Sequence, residues 1–344
     1  MMISVIICSQ HNDMDNHLAK NISETIGAEY EIIHIDNSKG QYNIFQAYNI
    51  GVQRAKGKYL CFMHEDVFFH SHGWGQVLIE ILSKSTIGIL GIAGSHLLLN
   101  QLDWRFYDYS CRLIYLMQGN SSVEPHPLYY LEHRGDFEKF PLEKGTEEVA
   151  VVDGVWMAMR KDLFNQIRFD DNNFHDFHLY DSDICMQVNH LGLDVMVTDR
   201  IVLEHFSEGS FSERFNNSLQ VFLKKWSSEL PIVRGLEVDE SKVVKALESA
   251  KKNFDSRLNS DMKKAEIRKL LHMKRDGLPC REFTKEECIV MDRSAYLARK
   301  GFIKDKTKTG KQVRQMIVDY KELPFATHTF KLMWKYVWYR VLHK

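Results

Sequence analysis

The apolar run Tyr59-Leu60-Cys61-Phe62-Met63 stops at His64-Glu65-Asp66, and a second aromatic stretch, Val67-Phe68-Phe69, follows at once. The run reads as a buried strand, so the acidic pair falls where that strand surfaces. Ligands of open α/β sheets bind outside the carboxyl ends of the strands, and carboxylates there can meet a metal ion or a phosphate-bearing ligand. A plain polar turn would use the same residues. A second polar group, from Phe174 through His175, Asp176, His178, Tyr180, Asp181 and Asp183, leads into the helical spacing of Ile184–Leu191, which stops at Gly192. Asp181 and Asp183 then fall in the first turn of a helix, where the macrodipole favours acidic side chains and where they could equally act as caps. His205, after Ile201-Val202-Leu203, gains chemical meaning only if the fold brings it beside Asp66.

The elements that must position these residues are legible as alternating runs. Ile3–Cys8 is continuously apolar and β-branched, as expected of a strand covered on both faces. Glu31–Ile35 is a second strand, ending in Asp36-Asn37-Ser38-Lys39-Gly40. Further strands are expected at 59–63, 87–93, 149–152, 155–160 and 194–198, with helices near 15–26, 44–54 and 74–82 and a short one at 161–167. Three strand-then-helix units make a parallel, doubly wound α/β sheet the economical architecture. The stretch from about 100 to 150, with Pro125, Pro127 and Pro141, reads as a long excursion over one face that could form a lid or an acceptor groove.

A chain of 344 residues with 44% hydrophobic content has material for one large domain and an appendage. Residues 1–230 hold 18 basic against 31 acidic side chains and residues 231–344 hold 27 against 15, which marks two parts with different partners. The first residues carry no basic segment, and their apolar run is too short for a leader or a span, so a cytoplasmic location is expected. Cys8, Cys61, Cys111, Cys185, Cys280 and Cys288 lie far apart without C-x-x-C spacing, which argues against disulfides or structural zinc.

Ile35-Asp36-Asn37-Ser38, Asn49-x-Gly51 with Ala55-x-Gly57-Lys58-Tyr59-Leu60, Glu65-Asp66, Tyr180-Asp181-x-Asp183 ahead of Gly192, and His205-x-Ser207-x-Gly209-Ser210 occur in that order. As an ordered set over residues 1 to about 230 they resemble family 2 glycosyltransferases of the GT-A fold. Within that family they resemble the streptomycin-biosynthesis-type group, in which His-Glu-Asp replaces Asp-x-Asp. The resemblance implies a GT-A-like doubly wound mixed sheet over 1–230 and a basic helical region over 231–344. It implies Asp66 and His205 as ligands of Mn²⁺ or Mg²⁺, and Asp181, with Asp183 beside it, as catalytic carboxylates. It also places Ser9, Asp36, Asn37, Asn49 and Glu65 around the nucleotide donor, and Asp153 and Gly154 along the donor-sugar or acceptor pocket; for Asp153-Gly154 a tight turn remains an equal reading. Tyr180 departs from the pattern, standing where the family has an acidic residue.

Moving a sugar off a nucleoside diphosphate builds negative charge on the departing diphosphate, which an oxygen-bound divalent cation can hold. Asp181 would take the proton of the attacking hydroxyl, and direct attack would invert the anomeric centre. The implied partners are a UDP- or GDP-sugar donor and a glycan or lipid-linked glycan acceptor, as in surface polysaccharide or glycoconjugate synthesis. Two alternatives stay open: a sugar-nucleotide nucleotidyltransferase, disfavoured because Ser9–Asp13 lacks the glycines of a phosphate loop, and a non-catalytic sugar-nucleotide-binding protein. A zinc hydrolase on His70-x-His72 or His175-x-x-His178 lacks the helical i, i+4 spacing.

In the basic part, Val243, Leu247, Ala250, Phe254 and Leu258 recur at helical spacing, and Thr284-Lys285-Glu286-Glu287 reads as a capping box. Residues 325–344 lack acidic side chains and mix Phe330, Trp334, Val337, Trp338 and Val341 with Lys331, Lys335, Arg340 and Lys344. Such a helix either lies peripherally on a membrane or docks its aromatics on the main domain. No motif for reading nucleic acid is present, and no such partner is expected.

Overall fold

The computed structural model describes residues 1–107, 111–118, 129–130, 145–207, 211–236, 243–244, 247–255, 281–304, 309–323 and 326–340. Most of the excursion over 100–150, together with Leu258, Gly209, Ser210 and Cys280, lies outside them. The described residues fall into two compact units, one running to Asp255 and the other starting at Arg281.

The first unit begins β1 (Ile3–Ser9), α1 (Asn16–Thr25), β2 (Tyr30–Asp36), α2 (Ile44–Arg54), β3 (Tyr59–Met63), β4 (Val67–Phe69), α3 (Trp74–Leu82) and β5 (Ile87–Gly91). Short strands β6 (Ala93–Ser95), β7 (Leu97–Leu98), β8 (Arg112–Ile114), β9 (Met117–Gln118) and β10 (Tyr129–Tyr130) come next. The unit continues with β11 (Thr146–Val149), β12 (Val151–Val152), β13 (Trp156–Arg160), α4 (Tyr180–His190), β14 (Asp194–Thr198), β15 (Leu203–His205), α5 (Glu213–Lys225) and β16 (Ile232–Val233).

Seven strands form one sheet in the order β11-β14-β5-β13-β3-β1-β2. β1 pairs in parallel with β2 and β3, and β14 with β5, whereas β13 runs antiparallel between β3 and β5. The sheet is therefore mixed. Every residue of β3 and β5 is buried, as continuous apolar runs covered on both faces must be. α1 starts at Asp15, whose carboxylate accepts from the amides of His17 and Leu18, and α2 starts in a capping box between Asn43 and Gln46. α2 packs so closely on β1 that a Cβ on Gly51 would lie 2.3 Å from Ile6, so only glycine fits there. At 161–165 the expected helix is a single 3₁₀ segment.

The first unit extends past the expected boundary at 230. Ala250 and Phe254 are buried, and the Phe254 ring meets Phe106 edge-on at 5.0 Å, so this helical stretch belongs to the first core.

The second unit contains α6 (Lys285–Lys304), α7 (Gly310–Lys321) and α8 (Thr329–Arg340). The capping box at Thr284 forms, with Glu287 N to Thr284 Oγ1 at 3.2 Å and Thr284 N to Glu287 Oε2 at 2.8 Å. Its core gathers Ile303, Val313, Ile317, Tyr320 and Leu332. No described helix is long and apolar enough to cross a membrane.

Candidate active site

β3 carries His64 to the carboxyl edge of the sheet, where its amide donates to Val155 O at 3.0 Å. β4 turns back and pairs antiparallel with β15, matching Val67 with His205. The ladder continues through Phe206 N to Asp66 O at 3.0 Å. This register sets His205 Nε2 3.4 Å from Asp66 Oδ1 and 3.2 Å from His64 Nδ1. One donor atom from each of His64, Asp66 and His205 lies within 4.8 Å of the others, the one such group among the described residues.

The electrostatics suit a cation. Burial works against the Asp66 carboxylate, but hydrogen bonds and charge from His205, with Ser207 and His64, outweigh it and hold its pKa well below the usual range. Burial, then the neighbouring His205, lowers the pKa of His64, so that imidazole is neutral at pH 7. The Tyr180 hydroxyl lies 2.9 Å from His64 Nε2. With the proton on that nitrogen, Nδ1 presents its lone pair toward Asp66 and His205. Two imidazoles and an ionised carboxylate form a mixed nitrogen and oxygen set that fits a first-row divalent ion.

Tyr180 is held by an aromatic stack. Its ring meets Tyr48 edge-on at 5.5 Å and Phe45 at 6.3 Å, and Phe45 stacks on Phe174 at 5.0 Å. Leu179, with φ 63°, is a non-glycine residue in the left-handed region that turns the chain sharply into α4. A Cβ on Gly154 would lie 2.3 Å from the Tyr180 hydroxyl, so glycine is required opposite it.

Asp181 is buried. It accepts from Arg105 Nη2, and from the Gly154 amide at 3.0 Å. Arg105 also bonds Asp153 at 3.1 Å and Asp103 at 3.1 Å, so one guanidinium serves three carboxylates. Burial raises the Asp103 pKa despite Arg105, whereas for Asp153 the charge of Arg105 overcomes burial and lowers it.

A cleft of about 700 Å³ opens beside the imidazole cluster, lined in part by Cys8, Ser9, Asn37, Glu65, Asp66 and Tyr180. Its size suits a small organic ligand. Glu65 turns away from the cluster to accept from Ser9 Oγ and, at 3.1 Å, from Gln10 N, fixing the end of β1. Asn37 is locked by Tyr42, whose amide donates to Oδ1 at 2.9 Å. Burial pushes the Cys8 thiol up to about 11, so no thiolate faces the cleft at pH 7.

Asp153, Gly154 and Asp181 gather at Arg105 and one another rather than lining the cleft, and three further expected site residues stand elsewhere. The Asp183 carboxylate is fully buried between α4 and α5, accepting from Lys225 Nζ at 2.7 Å, Trp226 Nε1 at 2.8 Å and Gln187 Nε2 at 2.8 Å. It joins two helices rather than facing the cleft. Asn49 donates to Phe169 O at 2.8 Å, and exposed Asp36 accepts from the Ser38 amide at 2.9 Å; neither lines the cleft. Conversely, His64, Tyr180 and Arg105 were not expected among the functional residues. His64 belongs to the His64-Glu65-Asp66 triplet that follows β3, and its place at a strand end is the available signal.

The cleft and the ionisable cluster lie at the carboxyl edge of a mixed α/β sheet, where open α/β sheets bind their ligands. The chain belongs to the glycosyltransferase-like family, whose model matches residues 4–226. A curated relative, the ATP synthase subunits region ORF 6 protein of Fuscovulum blasticum, is 25% identical over 210 residues, spanning 58% of this chain and 73% of that protein. Two solved structures share 12% and 10% identity with this chain. GalNAc-T7 with UDP, GalNAc and Mn²⁺ aligns at TM-score 0.43 over 77% of this chain and 58% of its own. The mannosyltransferase PcManGT from Pyrobaculum calidifontis, in complex with GDP-Man and Mn²⁺, aligns at TM-score 0.40 over 98% and 87%.

Proposed function

We propose that this protein transfers a sugar from a UDP- or GDP-sugar to a hydroxyl of a glycan or lipid-linked glycan, inverting the anomeric carbon, in surface polysaccharide or glycoconjugate synthesis. The approach of His205 to Asp66 carries the reading, because it gathers a cation-binding donor set beside a ligand-sized cleft. A bound divalent ion would neutralise charge on the departing diphosphate. Asp66, His205 and His64 would hold it, and two nitrogen donors favour Mn²⁺ over the oxygen-seeking Mg²⁺.

The remaining roles fall to the chain's own groups. Ser9, Asn37 and Glu65, fixed at the ends of β1, β2 and β3, orient the nucleotide. Asp181 takes the proton of the attacking hydroxyl on a carboxylate oxygen. Arg105 and the Gly154 amide fix the position of the Asp181 carboxylate.

The test is a panel of UDP- and GDP-sugars incubated with the protein, Mn²⁺ and glycan acceptors. Release of UDP or GDP that requires both acceptor and metal is expected. Release of pyrophosphate instead, or no product across the panel, would overturn the reading.

A further inference from the structure

α8 has two opposed faces. Leu332, Tyr336 and Tyr339, spaced i, i+4, i+7, turn inward against Ile303, Val313, Ile317 and Tyr320. Phe330, Met333, Trp334, Val337 and Trp338, spaced i, i+3, i+4, i+7, i+8, form the other face and are 80%, 54%, 60%, 40% and 45% exposed. A contiguous apolar stripe of this kind on an otherwise charged unit costs solvation until something covers it.

The flanks of the stripe name the cover. α8 contains no acidic residue, and Lys331 and Lys335, one turn apart, border the aromatic face. Together with Tyr296, Phe330 and Trp334 they line a shallow pocket of about 460 Å³, an apolar floor with an ammonium rim. Trp and Phe prefer the boundary between headgroup and acyl chain, and lysines beside them extend their stems over apolar surface while their charges reach anionic phosphates.

We infer that α8 is an interfacial anchor, lying along an anionic bilayer surface with Phe330, Met333, Trp334 and Val337 inserted and Lys331 and Lys335 on the phosphates. This goes beyond the transfer reading and does not depend on it. A reaction on a lipid-linked acceptor would be confined to that surface.

The test is flotation of the full chain with phosphatidylcholine vesicles, with and without phosphatidylglycerol, at low and high salt, and with tryptophan emission recorded. The chain should float with the anionic vesicles at low salt, with blue-shifted emission, and stay behind with the neutral ones. Phe330→Ser with Trp334→Ser, and separately Lys331→Glu with Lys335→Glu, should each weaken binding at least about tenfold. These side chains are outside the core, so circular dichroism should show unchanged helix content. Three results would overturn the inference: no flotation of the parent chain, flotation of both variants undiminished from that of the parent, or concentration-dependent dimerisation that the same substitutions abolish.

Discussion

His205 Nε2 lies 3.4 Å from Asp66 Oδ1 although 139 positions separate them in sequence, because β4 and β15 pair in one register. A slip of one residue along that ladder would turn the imidazole to the opposite face. The site therefore depends on a short sheet outside the main one.

Replacing Asp181 by Asn keeps the shape of the first turn of α4 but removes the basic carboxylate. Transfer should fall by about 10²–10⁴-fold while nucleotide binding, followed by calorimetry, changes little. Full turnover in that variant would remove Asp181 from the chemistry.

Gly154→Ala sets a methyl group against the Tyr180 ring and hydroxyl, which are packed on Tyr48 and Phe45. A loss of about 1–3 kcal/mol in stability is expected, with weaker metal binding as Tyr180 shifts from His64. Unchanged urea midpoints and Mn²⁺ affinity would show that the ring yields freely.

Lys225 stands 2.7 Å from both Asp183 and Asp170. Lys225→Met leaves the buried Asp183 carboxylate without its cation, at a cost of about 3 kcal/mol, the low end for a buried pair because Lys225 reaches solvent. Asp183→Asn in that background should recover part of the loss. Identical denaturation midpoints for the parent and Lys225→Met would refute the structural role given to Asp183.

In the second unit, burial opposes ionisation of Asp292, but hydrogen bonds from Thr327, Tyr320 and His328 outweigh it and hold its pKa down at about 2. A depressed acid stabilises the fold fully above the ordinary Asp value of about 4, and its contribution is lost as pH falls toward about 2. Helical signal should therefore drop across that window. Asp292→Asn should be less stable at pH 7 and flatter between pH 4 and 2, and an unchanged pH dependence would contradict this.

Much of the scaffold was legible in the sequence. The strands at Tyr59–Met63 and Asp194–Thr198 and the helix at Trp74–Leu82 fall where their apolar runs begin and end. β13 was legible as a run but not in direction, because its antiparallel course is set by its two neighbours. Asp183 reads as a catalytic partner of Asp181 because spacing cannot tell which buried first-turn acid meets Arg105 and Gly154 and which is taken up by Lys225 and Trp226. Arg105 was hidden for another reason: it meets Asp153 and Asp181 across 48 and 76 positions, from an irregular segment without periodicity. The amphipathic spacing of α8 was visible, but which stripe is covered was decided by packing on Ile303 and Tyr320.

Direct titration of the purified protein with Mn²⁺, followed by the loss of the free-ion paramagnetic resonance signal, tests the central claim without requiring a known substrate. The parent chain should bind one ion, with Mg²⁺ a poor competitor, and both Asp66→Ala and His205→Ala should abolish binding while remaining folded. Undiminished binding in those variants, or none in the parent, would contradict the site.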